Sequence, residues 1–233
     1  MIKLKRQKVF AQKKDQLLSY VKEPRAHTSE NGSRYYDVGN DSFPSITSIL
    51  GYFKKRHIME WKERIGVEEA NKITARASRR GTTIHNMVES YLKNEDMDTI
   101  LDRKSPIDIE TFKNLLPTLS SIDNIFLQEQ ALYSETLKIA GRCDLGAEFD
   151  GVPSIIDFKT SLREKKEEYI QDYFEQATAY SLMWSDMTGK DISQIVIIIA
   201  NDECSKPQVF KSNVGYHGAS LLAKIEEFRK HMG

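Results

Sequence analysis

The chain has 233 residues, and its 34 basic and 34 acidic side chains leave a formal net charge of zero. A hydrophobic content of 39% suits a soluble chain with one large domain, and no run approaches the roughly 18 apolar residues of a membrane-spanning helix. Two cysteines, Cys143 and Cys204, cannot form a four-cysteine zinc or iron–sulfur site.

The charges are distributed unevenly along the chain. Residues 1–80 contain 18 Lys and Arg against 9 Asp and Glu, whereas residues 81–233 contain 16 against 25. A basic front half suits a phosphate-binding surface, and an acidic back half suits a carboxylate-rich metal site. The alternative at this point is an ordinary solvated surface whose asymmetry arose by chance.

The first half of the chain is predicted to be mainly helical. A basic helix or arm over 1–25 precedes a short hairpin over 26–43, with turn signals at Asn31-Gly32 and Gly39-Asn40. Ser45 suits the N-cap position of a helix that begins with ITSIL. Two or three helices are expected to continue to about residue 95, interrupted at three glycines: Gly51, Gly66 and Gly81.

The second half changes to a strand-like pattern. Three strands are expected from about residue 124, in IFLQEQALYSE, LKIAGRCDLGAEF and SIIDFKTS, and the β-branched run at 192–200 indicates a buried strand. The remaining predicted elements are helices over 108–121, 165–187 and 214–231 and a short strand over 207–211. This order predicts an α/β fold in which helices cover a sheet, preceded by a helical region.

The dipeptide Asp150-Gly151 predicts a two-residue hairpin turn, because both central positions need positive φ. Cross-strand partners would then have residue numbers that sum to 301, so Asp144 would face Asp157 and Arg142 would face Lys159. Facing carboxylates repel one another, and the usual resolution is a hard divalent cation such as Mg²⁺ or Mn²⁺. The alternatives are a solvated hairpin, or a longer loop caused by Pro153 that shifts the register.

Strand periodicity separates polar from apolar residues in GRCDLGAEF. Strict alternation predicts that Cys143 and Leu145 share an apolar face and that Arg142 and Asp144 lie on the other. A buried, reduced Cys143 thiol is therefore expected, which indicates a reducing compartment. Because the opening residues also lack a secretory signal, we expect a cytoplasmic setting in a bacterium or a virus-infected cell.

Two helices carry further candidates at a spacing of four residues. His85 and Glu89 share one side of the helix GTTIHNMVESYL, and Gln176 and Tyr180 share one side of the later helix. His85 is interpreted either as a metal ligand or as an ordinary surface or core histidine. Gln176 and Tyr180 are interpreted either as contacts to a phosphate or substrate strand, or as a surface and a core residue.

Taken together, GxxxH, GRxDL, DFKTS and QxxxY, in this order over about residues 44–180, resemble the RecB-like branch of the PD-(D/E)xK nuclease superfamily. The segment PSITSIL followed by helices is also similar to that of the mitochondrial genome maintenance exonucleases and their phage and bacterial relatives. The resemblance implies a mixed central β-sheet flanked by helices. It also implies a nuclease core over 81–233, with residues 1–80 forming part of a DNA channel.

The resemblance further implies a Mg²⁺- or Mn²⁺-dependent deoxyribonuclease without the iron–sulfur cluster of some relatives. The favoured hypothesis is an exonuclease for single-stranded DNA or DNA ends; a flap or junction endonuclease and a non-catalytic DNA-binding module remain alternatives. By resemblance, the metal ligands are His85, Asp144, Asp157 and the Phe158 carbonyl, and Lys159 is the catalytic lysine. The implied DNA contacts are Gln176, Tyr180, Ser45 and Thr47, and the hairpin register adds Arg142 as a possible phosphate clamp.

Overall fold

A computed structural model describes residues 4–13, 23–30, 32–202 and 205–232 of the chain. Within these ranges the strands are β1 (Arg25–Thr28), β2 (Arg34–Val38), β3 (Asp41–Pro44), β4 (Ile122–Ser134), β5 (Ile139–Phe149), β6 (Val152–Ser161), β7 (Gln194–Asn201) and β8 (Gln208–Asn213). The helices are α1 (Ile46–Ile65), α2 (Val67–Leu92), α3 (Met97–Leu101), α4 (Pro106–Leu119), α5 (Gln171–Thr188) and α6 (Val214–Met232).

The main sheet has five strands in the order β4-β5-β6-β7-β8. The pair β6–β7 is parallel and the other three pairs are antiparallel, so the sheet is mixed. The crossover between the parallel strands contains α5, as parallel pairing requires. The predicted fold class, a mixed central sheet flanked by helices, is confirmed.

Apolar clusters cover both faces of this sheet. On one face, α1, α5 and α6 pack over residues that include Ile155, Ile197 and Ile199. On the other face, α2, α3 and α4 pack over residues that include Ile156 and Ile198. The alternation along β6 and β7 therefore buries both sides, which explains why the run at 192–200 is continuously apolar. In the described residues, no helix is long and apolar enough to cross a membrane.

The N-terminal half differs in part from its prediction. Residues 4–13 form no helix and contribute one bridge to Ile125, while the rest of the predicted arm over 14–22 lies outside the described residues. The predicted hairpin is one part of a three-stranded sheet, β1-β2-β3. This sheet packs through Tyr36 and Phe43 against Ala131 and Ala140 of the main sheet.

Ser45 caps α1 as predicted, because its side chain accepts a hydrogen bond from the backbone N–H of Ser48. Gly66 separates α1 from α2, also as predicted. Gly51 and Gly81 lie inside these helices, so the expected interruptions at these two residues were wrong. A single glycine costs a helix only about 1 kcal/mol, and packing of the long helices outweighs that cost. Helix α2 also continues through residues 80 and 81, where the boundary between the two predicted regions, 1–80 and 81–233, was expected.

The hairpin between β5 and β6 has the predicted turn and register. Asp150 and Gly151 have φ values of 50° and 78°, and the recorded pairs from Phe149–Val152 to Leu145–Ile156 all sum to 301. The ladder between these two strands ends at Leu145–Ile156. The extrapolated pairings of Asp144 with Asp157 and of Arg142 with Lys159 were therefore wrong.

The strands separate here because β5 loses its strict alternation at this point. Cys143 packs in the cluster under α5, whereas Leu145 packs in the cluster under α2 and α4, so the two do not share a face as predicted. The Cys143 thiol is buried and free, and burial raises its pKa well above the usual value. Asp144 lies between these two residues and has no partner in the β5–β6 ladder, so pairing with β6 does not fix its side chain.

Candidate active site

A cavity of about 450 Å³ opens where α2 and α5 meet the ends of β5 and β6. Most of the predicted site residues lie around it, although they come from five separate elements. The lining includes Thr47, His85, Glu129, Arg142, Asp144, Phe158, Lys159, Gln176 and Tyr180. The fold thus brings together most of the sequence-predicted constellation.

Asp157 and Lys159 form the buried edge of this cavity. The Asp157 side chain is fully buried, and its Oδ2 lies 2.5 Å from Nζ of Lys159. Burial raises the pKa of Asp157 to about 6, although the Lys159 ammonium opposes the shift. Burial lowers the pKa of Lys159, but the Asp157 and Asp144 carboxylates outweigh this effect and the net shift is upward. Lys159 therefore keeps its proton at neutral pH.

Asp144 and His85 meet at the backbone of Phe158. The Phe158 N–H donates to Oδ2 of Asp144 at 2.9 Å, and its carbonyl oxygen lies 2.6 Å from Nε2 of His85. Nδ1 of His85 lies 3.6 Å from the same Asp144 oxygen. His85 is part-buried on the last turns of α2, so its ring belongs to the site and is not a free surface histidine.

Gln176 connects the lysine–aspartate pair to Tyr180. Its Nε2 donates to Oδ1 of Asp157 at 3.1 Å and to the Tyr180 hydroxyl at 3.0 Å, and its Oε1 accepts from Lys159 at 3.3 Å. The Tyr180 ring is buried against β5, where a Cβ at Gly141 would lie 2.9 Å from it. The glycine of GRCDL is therefore required for the close approach of α5.

Glu129 is a site residue that the sequence interpretation missed. Gln128 pairs with Leu145 and Gln130 with Cys143, so Glu129 lies opposite Asp144 on β4 and β5. The pair of facing carboxylates that was expected between β5 and β6 is found between β4 and β5. Burial, followed by the charges of Asp144 and Glu89, raises the pKa of Glu129 to about 7.

The backbone at Glu129 is also unusual, with a φ of 48° inside a strand. Such a conformation costs a non-glycine residue about 1 kcal/mol or more. A signal was available in the sequence, because Glu129 is the one acidic residue within IFLQEQALYS. What it could not show is that long-range pairing would place this residue against Asp144.

Three further predicted residues have different placements. Thr47 lines the cavity, but Ser45 is buried and serves the α1 cap. Arg142 lines the cavity with its side chain partly exposed. It donates to the Glu129 carbonyl and lies 3.0 Å from Oε1 of Glu23. Its guanidinium is therefore bound to the β4 side of the cavity and is not placed beside Lys159 by strand pairing.

The donor set at the cavity suits a hard divalent cation. His85, Glu129 and Asp144 each place one ligand atom within 4.8 Å of the others. The buried Oδ2 of Asp157 accepts no hydrogen bond of regular geometry from the described residues, despite its ion pair with Lys159. Carboxylate oxygens together with one imidazole are ligands that divalent metal ions use in proteins. Burial is the main cause of the raised pKa values of Glu129 and Asp157, and the neighbouring Asp144 carboxylate adds to both shifts.

Removing the Glu129 charge should stabilise the metal-free protein at alkaline pH. Since burial raises its pKa from 4.5 to about 7, the folded state holds a proton that the unfolded state loses between these values. Stability is thus lost as pH rises through this window. A rise from 4.5 to about 7 corresponds to roughly 3.4 kcal/mol at most. Because the Glu129 side chain is partly exposed, solvent screening reduces this value. We therefore expect Glu129→Gln to gain about 2 kcal/mol over wild type between pH 4.5 and 8, measured by urea unfolding in chelator.

Glu135→Gln is the matched control, because Glu135 is an exposed carboxylate just beyond the end of β4. Its difference from wild type should stay constant across the same pH range. A pH-independent difference for Glu129→Gln as well would contradict the raised pKa.

Comparison with known proteins gives two curated relatives. The human mitochondrial genome maintenance exonuclease 1 is 28% identical over 152 residues, which cover 59% of this chain and 42% of the human protein. The mouse protein of the same name is 29% identical over 173 residues, covering 67% of this chain and 48% of its own length. The chain thus spans less than half the length of the relatives it matches. This similarity supports a relationship to nucleases.

No family model matches the chain. Among solved structures, that of SSO0001 is similar with a TM-score of 0.47 and 13% identity, covering 84% of this chain and 79% of that one.

Proposed function

We propose that this protein is a metal-dependent DNA exonuclease of the RecB-like PD-(D/E)xK type, preferring single strands or DNA ends. The observation that carries the proposal is the convergence of His85, Asp144 and Lys159 on one cavity, with the buried Asp157 carboxylate 2.5 Å from Lys159, since the four residues come from three elements. Similarity to two exonucleases supports the same chemistry. A purely structural ion pair between Lys159 and Asp157 would not need a histidine and two further carboxylates beside it.

In the proposed site, His85, Asp144, Asp157 and the Phe158 carbonyl hold the cation, with Glu129 next to it. A bound Mg²⁺ or Mn²⁺ would supply Lewis acidity and an acidified water. The protein then contributes electrostatics and position. Two features of the site already favour cation binding: concentrated carboxylates, and a His85 ring held against the Phe158 carbonyl at 2.6 Å.

Lys159 is proposed to stabilise charge on the scissile phosphate and to orient the attacking water. Its raised pKa argues against a role as general base, because a protonated ammonium has no lone pair to accept a proton. Gln176 holds Lys159 and Asp157 in place from α5, and Tyr180 fixes Gln176. Gln176 also lines the cavity and is proposed to contact the DNA strand there.

The preference for single strands or ends is proposed from the surface next to the site. A second cavity of about 530 Å³ lies between the small sheet and α1, and it shares Arg34 and Thr47 with the catalytic cavity. Its lining adds Lys55 and the partly buried Tyr52. A cation and an aromatic ring along a narrow path suit a phosphate backbone with unpaired bases. These residues support the proposal that the basic region 1–80 forms part of the DNA channel, with 81–233 as the nuclease core.

The proposed function is tested with purified protein and matched linear and circular single-stranded DNA. Mg²⁺ or Mn²⁺ should allow shortening of linear strands while circles remain intact, and excess chelator should stop the reaction. Cleavage of circles would instead indicate an endonuclease. Undiminished cleavage in chelator would contradict the metal role, and binding without any cleavage would indicate a non-catalytic DNA-binding module.

A further inference from the structure

A third cavity, of about 410 Å³, adjoins the catalytic cavity and shares no lining residue with the 530 Å³ cavity beside the small sheet. We call it the arginine cavity. It is formed by α2, by the start of α4 and by the end of β6. Its volume falls within the roughly 300–1,000 Å³ of small-molecule sites. Nothing in the catalytic arrangement described above requires a cavity at this place.

The arginine cavity adjoins the catalytic cavity at one residue. Thr160, which directly follows Lys159, lines both of them. Helix α2 passes this residue at Gly81, and a Cβ at Gly81 would lie 3.5 Å from Oγ1 of Thr160, an ordinary contact distance. The glycine is therefore not forced by packing, and its missing side chain leaves room beside Thr160. A ligand in one cavity can extend past this point into the other.

One wall of the arginine cavity is apolar and exposed. Ile73 of α2, Ile107 of α4 and Leu162 after β6 are 40%, 56% and 64% exposed. Single exposed apolar residues are common, but here three from separate elements line one concave surface. Such a surface offers a flat ring a place to stack or to be buried.

The same cavity also carries cationic groups, and these are of two kinds. Arg80 forms an ion pair with Asp202 and donates to Thr111 at 3.0 Å, so it is fixed and neutralised. Arg76 and Arg79 are exposed on α2, and no carboxylate of the described residues forms an ion pair with either guanidinium. Asp108, the remaining acidic residue of the lining, accepts a hydrogen bond from Ser105 at the α4 cap.

We infer that the arginine cavity is a subsite for one nucleotide of the DNA strand, adjacent to the scissile phosphate. The base lies on Ile73, Ile107 and Leu162, and a flanking phosphate is bound by Arg76 and Arg79. An apolar wall, unpaired cations and a junction with the catalytic cavity beside Lys159 together match a nucleotide and not a free anion or a lipid. This inference rests on the proposed nuclease function, since it assigns the second side of the same substrate path.

The test is an abasic scan of a short fluorescent single-stranded oligonucleotide, bound in Ca²⁺ and followed by anisotropy. With wild-type protein, removing one base at a fixed distance from the strand end should weaken binding about five- to tenfold. The double variant Ile107→Ala, Leu162→Ala should bind intact DNA more weakly by the same factor. Removal of the base at that one position should then no longer weaken binding, whereas removal of bases elsewhere should act as in wild type. Arg76→Gln should weaken all oligonucleotides alike and lower the salt dependence by roughly one phosphate contact.

Val152→Ala and Lys211→Gln are the controls, because both residues lie at the hairpin-turn end of the sheet, away from the cavity. A double variant that keeps full sensitivity to every abasic position would overturn the subsite. Cleavage of the same oligonucleotide by wild type in Mg²⁺ separates the two proposals. If wild type cleaves but the double variant keeps its sensitivity to every abasic position, only the proposed subsite is contradicted. If wild type neither binds nor cleaves the oligonucleotide, both the subsite and the proposed nuclease function are contradicted.

Discussion

Asp157→Asn is expected to lower kcat by about three orders of magnitude or more. The substitution keeps the shape of the side chain and removes the one fully buried carboxylate of the cavity. A divalent cation contributes several kcal/mol at a phosphoryl centre, and about 4 kcal/mol corresponds to a factor near 10³ in rate. Single-turnover cleavage of linear single-stranded DNA in saturating Mg²⁺ measures the loss, and Mn²⁺ binding followed by electron paramagnetic resonance should weaken in parallel.

The folded state should survive this substitution. Because burial raises the pKa of Asp157 to about 6, its charged form is costly at neutral pH, and a neutral amide avoids that cost. Loss of the Lys159 partner offsets part of the gain. The thermal midpoint should therefore stay within a few degrees of wild type. Full activity in the folded variant would remove Asp157 from the site.

The turn and the register of the hairpin were predicted correctly because their determinants are local. A two-residue turn with positive φ at Asp150 and Gly151 fixes the register, and the register fixes which residues of β5 and β6 are neighbours. The four-residue spacing of Gln176 and Tyr180 is likewise local, and the two side chains are hydrogen-bonded as a helix allows. These parts of the site needed no knowledge of the remaining fold.

The extrapolation failed where tertiary contacts decide the geometry. Strict alternation put Cys143 and Leu145 on one face, but the two pack on opposite sides of the sheet, and β5 leaves β6 between them. The carboxylate opposite Asp144 comes from Glu129 on a different neighbouring strand, in a backbone conformation that no local preference favours. Such strain is retained only when surrounding contacts hold it, and those contacts are not visible in one sequence.

Helices α2 and α5 contribute different residues to the site. Helix α2 supplies His85 from above the β5–β6 separation, whereas α5 supplies Gln176 and Tyr180 from the other layer. The site therefore exists only when both layers are packed on the sheet. A variant in which either helical layer packs less tightly should lose activity before it loses secondary structure, because its site residues are displaced. Displacements of about 1 Å can cost roughly 10²-fold in rate.

Lys159→Met is expected to lower kcat by about 10²- to 10³-fold, with a change in DNA affinity of less than about threefold. Methionine keeps much of the aliphatic stem and removes the ammonium that lies 2.5 Å from Asp157 and 3.3 Å from Gln176. Loss of one preorganised electrostatic group at a reacting centre typically costs this much. Affinity should change little, because the charge acts mainly on the transition state. Rapid-quench cleavage and anisotropy in Ca²⁺ measure the two quantities separately.

Lys211→Met is the matched control for this prediction. Lys211 forms an ion pair of similar length with Asp150, at 2.6 Å, but at the turn end of the same sheet. Its loss removes a lysine–aspartate contact and a unit of positive charge without touching the cavity, so cleavage should stay near wild type. Since the raised pKa keeps Lys159 protonated, Lys159→Met should show no new loss of rate towards pH 9, whereas the acidic limb of its pH profile should move to higher pH, because the ammonium no longer lowers the pKa of Asp157. A rise in rate towards high pH that wild type shows and Lys159→Met loses would instead assign Lys159 as the general base. Equal losses of rate in the two methionine variants would show that only the general positive charge of Lys159 matters.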